Sequence, residues 1–284
     1  MALTIIDKFW HKQLGKPYQL ARAVDEGSGS PVVLLHGLGR TAQVWNYVVE
    51  KLLPLGVRVV AFDLLGFGDS PKPTWIKYDA DDHAKAVIAS IEKLNLTEPV
   101  VLVGHSMGCL VAIRVARLRP DLVRHLVIFE MPLHHGLPEK RRYKVLNDLY
   151  FRLYKKIISL NPTFDPANMT AFERVGRRVV GMEVTKENWF ALVLSLENTI
   201  MNQTTADDIK EIDTPMDVIY GTWDMMVIRG KPQRFFGDDN SNIVGHKIRA
   251  RHVISEKPSR FLVERIQAAL GADGTETAVK PVVA

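Results

Sequence analysis

Cysteine is almost absent: Cys109 stands alone among 284 residues. No internal disulfide can form, and a disulfide-stapled fold is excluded. A chain of this length buries roughly three quarters of its unfolded surface, so a core needs no covalent or metal staple. Also missing is any uncharged apolar run of the roughly 18 residues needed to span a bilayer. The stretch from Met1 to Leu20 is broken by Asp7, Lys8, Lys12 and Lys16, which denies it the apolar centre of a secretory leader. A cytoplasmic protein is the expectation. A strong charge of one sign is lacking too. Lys and Arg number 37 against 32 Asp and Glu, a net +5, too small to indicate a nucleic-acid partner without a motif. Internal repeats and a Gly-rich phosphate loop are absent. Gly66-Phe67-Gly68 lacks the third glycine and following helix of a dinucleotide site.

What is present is an alternation of two periodicities. Short apolar, β-branched runs at Val32 to Leu35, Val57 to Phe62, Val100 to Val103, Leu122 to Phe129 and Met216 to Tyr220 fit strands buried on both faces. Between them, Val44, Val48, Val49 and Leu52 share one helical face. So do Val87, Ile91 and Leu94, and so do Leu110, Ile113 and Leu118. Strands alternating with helices imply a mostly parallel sheet built from right-handed crossovers.

The alternation stops after Phe129. From Met131 to Ile212 the pattern is helical only, with Leu146, Leu149, Tyr150, Leu153 and Ile157 on one stripe. Thr185 is placed to cap a helix through about Ile200. Asn161-Pro162 and Asp165-Pro166 read as breaks between these pieces. Strand and helix resume at Thr214-Pro215 and end with a helix from about Pro258 to Leu270. The expected organisation is a core from 1–130 and 213–270, a helical cap over 131–212, and a disordered tail over 271–284.

The informative stretch is Val100-Val101-Leu102-Val103-Gly104-His105-Ser106-Met107-Gly108-Cys109-Leu110: strand, Gly-x-Ser-x-Gly, helix. A tight strand-to-helix turn strains the serine backbone, and glycines two residues away on either side avoid collisions of a Cβ. The bare pattern arises by chance in roughly one such sequence in twenty; its strand and helix context makes it specific. Three more motifs stand in order: His36-Gly37-Leu38-Gly39, Asp63-Leu64-Leu65-Gly66-Phe67-Gly68-Asp69-Ser70, and Gly221-Thr222-Trp223-Asp224-Met225-Met226-Val227.

Together these motifs resemble those of the cap-bearing serine hydrolases of the α/β-hydrolase family, over about Pro31 to Pro258. The resemblance implies an α/β fold with a mostly parallel central sheet flanked by helices, plus a helical cap. It also implies the order nucleophile, acid, base. Ser106 is then the nucleophile. His252 is the base, because it follows the last strand and precedes Glu256-Lys257-Pro258, whereas His246 lies in or before that strand. Asp224 is the acid that orients His252. Glu130, at the end of the strand before the cap, is the competitor for that role; Asp213 and Asp217 have the wrong placement. The backbone amides of Leu38 and Met107 are the expected oxyanion donors. His36, Gly37, Trp45, Glu130 and Met225 are the residues expected to face substrate. The adjacent His134 and His135 lack a third ligand for a metal, and Cys109 reads as a packing residue. No metal and no organic cofactor is expected.

From Glu139 to Glu187 there are 11 Lys/Arg against 6 Asp/Glu, which places the excess positive charge in the cap. Aromatic residues interleaved there suit acyl or aromatic substrates. The basic face reads first as a solvated helix face, with an acidic membrane surface as the alternative. The leading expectation is a carboxylesterase-like enzyme acting on a small, largely apolar ester. Rival readings within the resemblance are a C–C bond hydrolase of ring-cleavage products, a cofactor-free haloperoxidase or perhydrolase, and a slow ligand-binding receptor. Epoxide hydrolases and haloalkane dehalogenases are disfavoured, because those relatives carry Asp where Ser106 stands. The partner is a small-molecule substrate; the oligomeric state is left open.

Overall fold

The protein was analysed as a computed structural model, which describes residues 7, 9–134, 181–224 and 241–271, with the isolated residues 145, 148, 149, 151, 152, 155, 156 and 159. Seven strands among the described residues form one sheet. They are β1 (Arg22–Glu26), β2 (Pro31–Leu35), β3 (Arg58–Phe62), β4 (Val100–His105), β5 (Val123–Phe129), β6 (Met216–Gly221) and β7 (Ile243–Ile248), in the spatial order β1-β3-β2-β4-β5-β6-β7. Only β1 runs antiparallel to its neighbour. Every residue of β2 and β4 is buried, as expected of a sheet covered on both faces. β1 has no apolar run in the sequence reading, because it is an edge strand whose side chains are mostly exposed. The last strand ends at Ile248, so His246 lies within it and His252 beyond it.

Helices cover both faces. α1 (Asn46–Leu52) packs with α6 (Glu256–Gly271) on one side, closing an apolar layer that includes Val32, Leu34, Val101, Val103, Leu262 and Ile266. α2 (Ala80–Glu92) packs with α3 (Met107–Leu118) on the other. Asp79 caps α2 by accepting from the Asp82 amide at 2.9 Å, a cap worth about 1 kcal/mol. Leu118, assigned to the packed face of α3 from its spacing, is instead 40% exposed, because it lies at the last position of the helix.

The described part of the segment after β5 is helical at its C-terminal end. α4 (Trp189–Ser195) continues into a π-helical turn (Leu196–Met201), and α5 (Thr205–Lys210) follows. α4 begins later than expected, with Asn188 rather than Thr185 at its N-cap, and Thr185 closes the turn before it through a reciprocal pair. Its hydroxyl accepts from the Asn188 amide at 3.3 Å, and the Asn188 side chain accepts from the Thr185 amide at 2.8 Å. The return to the core is pinned by ion pairs. Asp208 on α5 meets Arg114 at 2.7 Å and Arg117 at 3.1 Å, both from α3. Of the expected cap stripe, Leu149 is 61% exposed. Phe151, which was not assigned to it, packs on the core and against His134. The other stripe residues, both Pro breaks and the tail beyond Gly271 lie outside the described residues. Among the described residues no helix is long and apolar enough to cross a membrane.

Parallel strands bring their C-terminal ends to one edge. His36 follows β2, Ser106 follows β4, Glu130 follows β5, Asp224 lies three residues beyond β6, and His252 lies four beyond β7. Residues spread over more than two hundred positions therefore meet above one edge of the sheet.

Candidate active site

Ser106 sits between β4 and α3 with φ 53° and ψ −121°, an unfavourable backbone for a residue with a Cβ. The surrounding chain enforces it. A Cβ on Gly108 would lie 2.4 Å from the Leu35 carbonyl oxygen, and one on Gly104 would lie 2.7 Å from the Cys109 backbone. The two glycines let β2 and α3 close on the turn, and the Ser106 amide is held by the Phe129 carbonyl at 3.0 Å. Cys109 sits beneath. Its thiol donates toward the Gly104 and Phe129 carbonyls, and burial pushes its pKa well up, which keeps it a neutral packing group.

The structure brings the three expected side chains together. The Ser106 hydroxyl lies 2.9 Å from His252 Nε2, and His252 Nδ1 lies 2.6 Å from Asp224 Oδ2. All three are buried. With Asp224 accepting from Nδ1–H, the Nε2 lone pair faces the hydroxyl, the arrangement a general base requires. The loop carrying Asp224 is tied to the base strand: the Thr222 amide donates to Ile248 and the Trp223 amide to Ala250. His246 is not in this group. It lies within β7 and bonds Asp217, which also accepts from His125 at 2.9 Å. Burial pushes the Asp217 carboxyl up, but the two imidazoles outweigh it and hold it at about 2.

The two amides expected as oxyanion donors are placed by two different elements. Met107 is the first residue of α3, where an amide has no intrahelical acceptor. Leu38 follows Gly37, and Gly37 runs so close to the nucleophile that a Cβ there would lie 2.9 Å from the Ser106 Cβ. This loop is braced from the segment before α4. The Glu183 amide donates to the Gly39 carbonyl at 2.6 Å, and Arg40 donates to the Gly181 carbonyl.

The structure gives three of the residues expected to face substrate buried contacts within the protein. His36 is fully buried and staples two loops: Nε2 accepts from the Leu64 amide at 2.8 Å and Nδ1 donates to the Gly37 carbonyl at 2.8 Å. Burial pushes its pKa down to about 4, so it is neutral at neutral pH. Trp45 is fully buried in the layer under the sheet, edge-on to His105. Its ring is part of the core rather than of an open surface. Glu130 is fully buried and lies behind the histidine, its Oε1 accepting from the Gly221 amide at 2.7 Å. Met225 lies outside the described residues.

Glu130, Asp224 and His252 each offer a ligand atom within 4.8 Å of the others, and are the described residues able to gather around a cation. The imidazole does not fit that use. A neutral ring has one N–H and one lone pair, and here Asp224 and Ser106 engage both nitrogens. The cluster reads as an acid–base assembly.

Sequence reasoning missed the brace from His105, whose Nε2 lies 3.1 Å from the His252 carbonyl, and the Arg40 contact. His105 carried one available signal: it is a polar residue in an otherwise apolar strand, next to the nucleophile.

Comparison with known proteins agrees with this architecture. A family profile described as "alpha/beta hydrolase fold" matches residues 30–162. The probable lysophospholipase BODYGUARD 4 of Arabidopsis thaliana is 32% identical over 52% of this chain and 34% of its own length. The 2-hydroxy-6-oxo-6-(2'-aminophenyl)hexa-2,4-dienoic acid hydrolase of Metapseudomonas resinovorans is 36% identical over 38% of this chain and 37% of its own. The chain thus spans about a third of the length of these relatives. A bromoperoxidase structure from Bacillus anthracis superposes with a TM-score of 0.66 at 23% identity, covering 87% of this chain and 94% of that one. That likeness shows a shared fold.

Proposed function

Because the chain belongs to the α/β-hydrolase fold family, we propose that it is a serine hydrolase that cleaves a carboxylic ester of a small, largely apolar substrate. The observation that carries this reading is the hydrogen-bonded chain Ser106–His252–Asp224, anchored at the carboxyl edge of the sheet. Ser106 Oγ attacks the ester carbonyl while His252 Nε2 takes its proton. The tetrahedral oxyanion is held by the Leu38 and Met107 amides, each such donor being worth on the order of 3 kcal/mol. Collapse expels the alcohol, which receives the proton from His252, and leaves an acyl-enzyme. Water, deprotonated by the same imidazole, then releases the acid and restores Ser106. Asp224 keeps the tautomer and stabilises the imidazolium. We read residues 131–212 as the cap that covers the acyl group.

Hydrolysis of p-nitrophenyl esters of increasing chain length tests the reading. Turnover is expected to peak at one acyl length and to fall by about a thousandfold or more in Ser106→Ala. A folded protein without serine-dependent turnover would overturn it. A second reading, cleavage of a C–C bond in a ring-cleavage product, draws on the name of the Metapseudomonas resinovorans relative. Faster turnover of a dienone than of any ester would favour it.

A further inference from the structure

The N-terminal turn points a histidine inward and its apolar side chains outward. Phe9–Gln13 forms a π-helical turn none of whose residues is buried. The Leu14 amide donates to the Phe9 carbonyl at 3.2 Å, and the Lys16 amide to the Trp10 carbonyl at 3.3 Å. His11 ties this turn to the protein. Its ring stacks on the buried Tyr18 with centroids 3.9 Å apart, and its Nδ1–H donates to the Lys16 carbonyl at 2.7 Å. The large apolar side chains go the other way: Phe9 is 57% exposed, Trp10 51% and Leu14 48%. A lone exposed apolar residue needs no explanation, but three within six positions form a patch that calls for a partner. Its chemistry selects which. Aromatic side chains interleaved with lysine suit the boundary between lipid headgroups and acyl chains, where the ring enters the apolar layer and the ammonium stays with the phosphates. Lys12 and Lys16 are exposed, and from Met1 to Leu20 three Lys stand against one Asp. Leu3, Ile5 and Ile6, just ahead in the sequence, add apolar side chains and no charge. A second copy of the chain is a poorer occupant, because a two-fold contact sets these lysines against their own counterparts.

We propose that this turn is an interfacial anchor: Phe9, Trp10 and Leu14 insert into the headgroup boundary of an anionic lipid bilayer, with Lys12 and Lys16 against its phosphates. The anchor stands toward the carboxyl edge of the sheet. Tyr18, beneath His11, lies near Asp82 in the first turn of α2; burial first, and this carboxylate after it, push the Tyr18 phenol up to about 12. The Asp82 carboxylate is itself engaged, accepting from the Lys77 and Tyr78 amides at 2.9 and 3.0 Å. α2 starts at the carboxyl edge because it leads back from the end of β3 to the start of β4, and both strands run parallel to β2. A bilayer at the turn is therefore near the edge that carries Ser106. The lipid contact does not depend on the serine-hydrolase reading.

Co-sedimentation of the full chain with vesicles tests the anchor. On equal parts phosphatidylcholine and phosphatidylserine the wild type is expected to pellet. The triple variant Phe9→Ser, Trp10→Ser, Leu14→Ser should bind at least about 100-fold more weakly. The pair Lys12→Ala, Lys16→Ala should bind about 5- to 25-fold more weakly there and like the wild type on phosphatidylcholine alone. All five side chains are exposed, so the circular dichroism spectrum should not change. A wild type that stays in the supernatant would overturn the inference and leave the patch to a protein partner. A triple variant that pellets like the wild type would place the lipid contact elsewhere and overturn it too. So would a wild-type dimer that the triple substitution dissolves while neither form binds vesicles. If the triple variant does not fold, brominated phosphatidylserine decides. It is expected to quench tryptophan emission of the wild type, and the quenched component should be lost in Trp10→Phe; an equal quenched component would count against the anchor.

Discussion

The imidazole of His105 holds the backbone of His252. Its Nε2–H donates to the His252 carbonyl at 3.1 Å, and the two ring centroids lie 5.2 Å apart. Burial pushes the His105 pKa well down, so the ring stays neutral and does not oppose an imidazolium at His252. The residue before Ser106 therefore sets the position of His252 across 146 intervening residues. His105→Phe keeps the stacking on Phe129 and removes the bond. kcat is expected to fall about 10- to 100-fold, the cost of a slight misplacement of the base, with an unchanged circular dichroism spectrum. An unaltered kcat would show that the bond does not position His252.

The two histidines of the last strand and its loop separate chemistry from structure. His252→Ala removes the base and is expected to lower kcat by about a thousandfold or more. His246→Ala removes a partner of Asp217 and should lower stability by about 1–3 kcal/mol while kcat stays within a few fold. Urea melts beside ester kinetics check both. Equal losses of kcat would undo the assignment of the base.

Much of this was legible in the sequence, for a physical reason. Strands buried on both faces must be apolar throughout, so β2 to β6 announce themselves; β1, half in water at an edge, does not. Turns that need glycine near a polar side chain write themselves as motifs, which is why Ser106, Asp224 and His252, proposed as the triad, stand out in the sequence. Residues held by long-range contacts leave no local trace. Trp45 and His36 were candidates to face substrate; Trp45 fills the core, and His36, itself part of a motif turn, ties two loops. The placement of Glu130 behind His252 depends on how β5 meets β6, and no spacing within one segment encodes that.

Gly108 is the tightest point of the nucleophile turn. A methyl group there meets the Leu35 carbonyl at 2.4 Å and the His36 carbonyl at 2.6 Å, both rigid backbone. Gly108→Ala is expected to cost about 2–4 kcal/mol in urea unfolding. It should also reduce kcat at temperatures where the variant is still folded, because the strain moves the Met107 amide. Wild-type stability in this variant would mean that β2 and α3 are free to separate.

The link between α2 and α4 makes stability depend on pH. His83 on α2 is fully buried, and its Nε2 lies 3.1 Å from the Ser195 hydroxyl on α4. Burial pushes its pKa from 6.5 down to about 3. In the unfolded chain the same ring takes a proton near pH 6.5, so acid favours the unfolded state. The sign follows: this contribution is fully present above about pH 6.5 and is lost as pH falls toward 3, at about 1.4 kcal/mol per pH unit. His83→Phe fills the volume and cannot titrate. It leaves Ser195 without this partner and lowers stability at pH 7 by about 1–3 kcal/mol. Its slope is the informative quantity. Between pH 7 and pH 5 the wild type should lose about 2 kcal/mol more than the variant, read from urea melts at both pH values. Parallel losses would show that the ring between core and α4 is already charged or open to water.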